Sequence, residues 1–145
     1  MGRCVLVPNY ISRYIINFWC NQNYWCFRSN IIEQDAANLI RFDFYQNRSG
    51  DTSRIFAGTI VSDKPTQQVK IEIVDGAPQY LRVVRVGNEW TQYYSFDGNS
   101  WNQAITFIHN LAVSSAGIFA GNYDARGSSY TVLVDDFVVA GQVLP

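Results

Sequence analysis

From residue 38 onward the chain alternates apolar and polar residues with a period of two, in short runs separated by turn residues. Ile40, Phe42 and Phe44 interleave with Arg41, Asp43 and Tyr45. Val69, Ile71 and Ile73 interleave with Lys70 and Glu72. A period of two puts alternate side chains on opposite faces of a pleated strand, so each run predicts a strand with one face inward. The punctuation agrees. Asn47-Arg48-Ser49-Gly50-Asp51, Ser62-Asp63-Lys64-Pro65, Asp75-Gly76-Ala77-Pro78 and Asp97-Gly98-Asn99-Ser100 each close a run. Gly87-Asn88, between Tyr80–Val86 and Glu89–Phe96, reads as a tight hairpin. Further strands are predicted over 55–61, 105–108, 117–120 and 130–139. Evenly spaced short strands predict an all-β, antiparallel β-sandwich. Composition points the same way: Val and Ile number 27 against 6 Leu, and these β-branched residues favour strands.

Alternation also nominates a core. Ile40, Phe42, Phe44, Ile71, Leu81, Val83, Phe119 and Phe137 are expected between the two sheets. Residues 10–27 fit both periods. Ile11, Tyr14, Ile15 and Phe18 fall at helical spacing, whereas Tyr14, Ile16, Phe18 and Cys20 fall at strand spacing. Their aromatic and β-branched character favours strands.

The first 30 residues differ from the rest. They carry Arg3, Arg13 and Arg28 and no acid, a sum of +3; the remaining 8 basic and 12 acidic residues sum to −4. The whole chain is −1, which supplies no broad positive field for nucleic acid. No apolar run is long enough for a membrane-spanning helix. Pro8, Asn9, Ser12 and Arg13 interrupt any leader-like apolar stretch, so no signal peptide is expected and the chain as it stands reads as cytoplasmic. Cys4, Cys20 and Cys26 are an odd set, expected as reduced thiols; Cys20 and Cys26 are the pair an oxidising compartment would bridge.

Catalytic motifs are sparse. Glu33-Gln34-Asp35-Ala36-Ala37-Asn38 offers two carboxylates and then an amide, which cannot protonate a leaving group. A polar turn with Asp35 capping it is expected there. His109 is the single histidine and stands beside no nucleophile elbow, so it reads as a surface or capping residue. No metal-ligand spacing is present. Asp135 and Asp136 are adjacent on a predicted strand and point to opposite faces unless a bulge intervenes. They are expected to pair with Arg82 or Arg85 instead.

The runs NIIEQDAANLIRFDFYQN (30–47), RIFAGTI (54–60), YLRVVRVGNEWTQYYSFDGNSW (80–101), GIFAGN (117–122) and VDDFVV (134–139) resemble a group of bacterial concanavalin A-like lectin/glucanase domains of laminin G-like type. The resemblance implies a jelly roll over 30–145, with 1–29 a divergent segment in place of the usual first strands. It implies core packing for Trp90 and Trp101, an accessory or carbohydrate-binding role, and in some relatives calcium held by loop carboxylates such as Asp124. Members are often secreted.

Sugars stack on aromatic rings while carboxylates, amides and guanidinium groups take their hydroxyls. The candidate site is therefore Arg41, Asp43 and Tyr45, alternating away from the core, joined by Tyr93. The expected function is non-catalytic binding of a poly- or oligosaccharide, with no resident cofactor. The alternative is an assembly module that completes a shortened sandwich by forming a homodimer. Seven aromatics in the first 30 residues (Tyr10, Tyr14, Phe18, Trp19, Tyr24, Trp25 and Phe27) motivate the homodimer. They either bury against a second copy or fold back as substitute strands.

Overall fold

A computed structural model describes residues 10–18, 26–46, 52–122 and 132–141. Cys4, Cys20, Trp19, Trp25 and Asp124 lie outside them. The described residues form ten strands: β1 (Tyr10–Phe18), β2 (Cys26–Asp35), β3 (Asn38–Gln46), β4 (Ser53–Val61), β5 (Lys64–Ile73), β6 (Tyr80–Val86), β7 (Glu89–Ser95), β8 (Asn102–Ile108), β9 (Ser115–Asn122) and β10 (Val132–Gly141). They make two five-stranded antiparallel sheets. The first has the order β10-β1-β6-β7-β8 and the second β5-β4-β3-β2-β9. Among the described residues no helix is long and apolar enough to cross a membrane.

The turns follow their local chemistry. Gly87 takes φ 61° in the two-residue loop between Val86 and Glu89, as a hairpin of this twist requires. The β4–β5 hairpin achieves the same without glycine: Ser62 and Asp63 both have positive φ. Two bonds secure that strained turn. Ser62 N–H donates to Asn38 Oδ1 at 3.1 Å and Asp63 N–H to the Ala37 carbonyl at 3.0 Å. Pro65, which has no N–H to donate, sits on β5 at the sheet edge.

β1 settles the ambiguity of residues 10–18. It lies inside the first sheet, pairing β10 on one side (Tyr14↔Phe137) and β6 on the other (Tyr14↔Leu81). Residues 1–29 thus supply β1 and the start of β2, and the sandwich draws on both sides of the expected boundary at 29/30. Residues 10–18 form a strand that pairs with β10 and β6 of the same chain.

The sheets meet through aromatic contacts. The Phe42 ring on β3 lies 6.3 Å from Trp90 on β7 and 6.0 Å from Phe107 on β8. Ile40, Phe42, Phe44, Leu81, Val83 and Trp90 are buried as expected, joined by Ile32, Ile55, Ala57 and Ile73. Two expected core residues are not buried. Ile71 is 37% exposed because β5 is the edge strand of its sheet among the described residues. Phe119 is 45% exposed because register, not hydrophobicity, sets its face. It pairs with Ser29 on the outer side of β2, and Ile118 takes the inward position. Phe137 belongs to β10, whose side chains lie outside the described ones. Trp101 is also corrected. It is half-buried on the outer side of the first sheet, with the Arg82 guanidinium 3.7 Å from its ring centre and Tyr80 edge-on at 6.4 Å.

Candidate functional site

The second sheet's outer face gathers three of the four expected site residues. Arg41, Asp43 and Tyr45 alternate on β3, opposite in sense to Ile40, Phe42 and Phe44. Antiparallel pairing then places residues of other strands beside them. One rung runs Phe119 (β9), Ser29 (β2), Asp43 (β3), Phe56 (β4), Lys70 (β5). The neighbouring rung runs Gly117, Ile31, Arg41 and Gly58.

Asp43 faces away from the core, yet its side chain is only 6% exposed. Arg41 Nη2 donates to Asp43 Oδ2 at 2.8 Å, and the Arg41 side chain is 34% exposed. Asp43 and the buried Ser29 hydroxyl adjoin each other across the β2–β3 pair. Burial pushes the Asp43 carboxyl above its ordinary value, while the Arg41 charge and the nearby Ser29 hydroxyl oppose that rise.

Phe56 stands beside Asp43 on the neighbouring strand. A Cβ at Gly58 would meet Cε1 and Cζ of Phe56 at 2.8 Å, so the ring lies over the glycine along β4. Gly117, one rung position from Arg41 across β2, has open space above it. Alternation along β3 alone finds Arg41, Asp43 and Tyr45. Ser29, Phe56 and Phe119 are missed because only cross-strand register brings them to Asp43.

Tyr93 does not join this group. It pairs with Arg82 and Gln103 on the outer side of the first sheet, on the opposite face of the sandwich. Gln92 and Trp90, on the other side of β7, point inward; Gln92 Nε2 reaches the Phe56 carbonyl at 3.4 Å.

Asp35, Glu33, His109 and Arg85 have structural partners. Asp35 Oδ1 accepts from Ala37 N–H at 2.9 Å and Asn38 Nδ2 at 2.8 Å, the capped turn expected there. Glu33 accepts from the Ser115 hydroxyl at 2.9 Å. His109 lies just past β8, where its carbonyl accepts from Trp90 Nε1 at 2.9 Å and burial lowers the imidazole's pKa. Arg85 donates to the carbonyls of Gly87 and Leu111 and covers the Trp90 ring at 4.7 Å. Asp135 and Asp136 lie on β10, where pairing shifts from Ile15↔Asp136 to Ile16↔Val134 and leaves Asp135 as the extra residue of a bulge. Among the described residues no group of three or more His, Cys, Asp or Glu could hold a metal ion.

No protein-family model matches the sequence, and no curated protein matches it either. Solved structures do resemble the fold. The CBM2 module of the evolved Dit of Lactobacillus casei BL23 phage J-1 aligns with a TM-score of 0.64 at 9% identity, over 91% of this chain and 61% of that one. The chain thus spans less than two thirds of that module's length. A Saccharomyces cerevisiae protein described as functionally unknown aligns with a TM-score of 0.63 at 9% identity, over 94% of this chain and 71% of that one. At such identity the likeness is one of fold, and the fold is an antiparallel β-sandwich.

Proposed function

We propose that this protein is a non-catalytic carbohydrate-binding module whose site is the outer face of the second sheet. The observation that carries the reading is Asp43: a carboxylate on the outer side of the second sheet, held by Arg41, with the Ser29 hydroxyl and the Phe56 position beside it on the neighbouring strands. Sugar hydroxyls donate to such a carboxylate, and the apolar face of a pyranose covers such a ring. The CBM2 module among the structural neighbours supports the same reading. The strand orders, with the chain passing between sheets after β1, β5, β8 and β9, support a concanavalin A-like jelly roll.

Catalysis is no part of the proposal. Asp35 is committed to its turn, and Asn38 stands where a third carboxylate would be needed. Binding should be weak, because the sugar exchanges hydrogen bonds with water for similar ones with protein. Affinity electrophoresis against immobilised neutral polysaccharides, followed by titration with soluble oligosaccharides, tests it. Retention by at least one polysaccharide, lost in Asp43→Ala with the fold intact by circular dichroism, is expected. No retention on any polysaccharide, and no titration signal at millimolar ligand, would overturn the reading. Hydrolysis of a bound polysaccharide, abolished by Glu33→Gln, would overturn its non-catalytic part.

A further inference from the structure

Two Asp-Gly steps occur in the sequence, Asp75-Gly76 and Asp97-Gly98. Aspartate followed by glycine is open to a rearrangement of the main chain. The glycine nitrogen attacks the aspartate Cγ, a water leaves, and a five-membered succinimide forms. Water then adds to either ring carbonyl. One addition restores aspartate; the other gives isoaspartate, in which the main chain runs through Cβ and Cγ. One water is lost and one regained, so no other reactant is needed. Ring closure asks for a neutral carboxyl, a nitrogen free to approach it, and room for the ring.

The fold withholds all three at Asp97-Gly98. Asp97 Oδ1 accepts from the N–H groups of Asn99 at 2.8 Å and Ser100 at 2.7 Å, and Oδ2 accepts from the Ser100 hydroxyl at 3.1 Å. These bonds lower its pKa from 3.8 to about 2, so at neutral pH the carboxyl is protonated more than about tenfold less often. Gly98 N–H is itself engaged, donating to the buried Ser95 hydroxyl at 2.9 Å. The Tyr80 ring takes up the space above it: a Cβ at Gly98 would meet Cε1 of that ring at 2.9 Å.

Asp75-Gly76 stands in different surroundings. It lies on the connection from β5 to β6, which crosses from the second sheet to the first. The ends of that connection are fixed by the buried Ile73 and by Gln79, whose N–H donates to the Ser95 carbonyl at 3.2 Å. Residues 74–77 between them are all exposed. Gly76 has φ 109°, and a Cβ there would meet nothing within 4 Å. Among the described residues the ion pairs are Arg41–Asp43 and Arg54–Glu72, and neither involves Asp75.

We infer that Asp75-Gly76 is a modification site: in the folded protein Asp75 converts to isoaspartate through a succinimide with Gly76, while its own turn protects Asp97-Gly98. The motif is the same at both steps, and the fold makes the choice between them. The conversion adds one atom to the main chain inside the exposed stretch 74–77. It is independent of the sugar-binding reading.

Prolonged incubation of the full chain at neutral pH tests this, with proteolysis and electron-transfer fragmentation to locate isoaspartate residue by residue. Isoaspartate should accumulate at Asp75, with at least about tenfold less at Asp97 over the same period. In guanidinium chloride, where both turns are lost, the two sites should convert at similar rates. Asp75→Glu, which would need a six-membered ring, should remove the signal at position 75, with circular dichroism as the check on folding. Absence of isoaspartate at Asp75 in the folded chain, equal amounts at Asp75 and Asp97, or a signal that persists in Asp75→Glu would overturn the inference. Unequal rates that persist in guanidinium chloride would overturn it as well, because the neighbouring sequence would then make the choice instead of the fold.

Discussion

The tip of the Phe56 ring lies over Gly58, where the glycine has no Cβ: an added methyl carbon would sit 2.8 Å from Cε1 and Cζ. That contact fixes the orientation of the one aromatic ring on the same rung as Asp43 in the neighbouring strand. Gly58→Ala should therefore tilt the ring off the sheet while leaving Arg41, Asp43 and Tyr45 unchanged in sequence. The expected result is weaker glycan binding by about tenfold, the scale of one aromatic stacking contact. Titration of the variant beside the wild type checks it, with melting curves as the control for folding.

Phe42 is fully buried and touches aromatic rings of both β7 and β8. Phe42→Ala should cost about 3 to 5 kcal/mol through lost burial and the cavity left behind. Urea denaturation measures this. A loss below about 1 kcal/mol would mean that the cavity collapses or that Phe42 is not at the centre of the core.

Asp43 makes stability depend on pH in an unusual direction for a carboxylate. Its native pKa is raised above 3.8 by burial. Between that ordinary value and the raised one, the folded chain holds more protons than the unfolded chain, so this group's contribution falls as pH rises. Asp43→Asn should remove that slope. Denaturant midpoints measured across the acidic to neutral range should show the wild type losing ground to the variant with increasing pH.

Asp97 behaves in the opposite way. Its carboxylate accepts from the N–H groups of Asn99 at 2.8 Å and Ser100 at 2.7 Å, and these bonds lower its pKa to about 2. Stability from this fully exposed turn is present above the ordinary carboxylate value and is lost as pH falls toward about 2. The amide resonances of Asn99 and Ser100 should titrate near pH 2. A midpoint at 3.8, the ordinary value, would show that the turn's hydrogen bonds do not hold in solution.

β1 fills the first sheet from within, between β10 and β6. Light scattering should accordingly give a mass near the single chain's 16.5 kDa, unchanged on dilution. A mass near double that value would return the homodimer, with contacts made by surfaces other than the β1 strand.

Much of this protein was legible from local pattern. Alternation alone placed Ile40, Phe42 and Phe44 inward and Arg41, Asp43 and Tyr45 outward, because successive side chains of one strand must take opposite faces. The Gly87 turn and the capped Asp35 turn were equally local, being matters of a few dihedral angles and a short side-chain reach. What tertiary structure alone decided was adjacency. A period of two says that Phe119 and Gly117 share a face, but not whether that face meets the other sheet or stands outside it. The pairing of Phe119 with Ser29 decided that. Pairing likewise carried Phe56 to Asp43 from another strand and put Tyr93 on the far side of the sandwich. It also inserted β1 between two strands more than 60 residues downstream. These outcomes depend on backbone hydrogen bonds between distant segments, and every residue offers the same N–H and C=O to such bonds. Strand identity is therefore written in the side chains, while strand partnership emerges only when the whole core is packed.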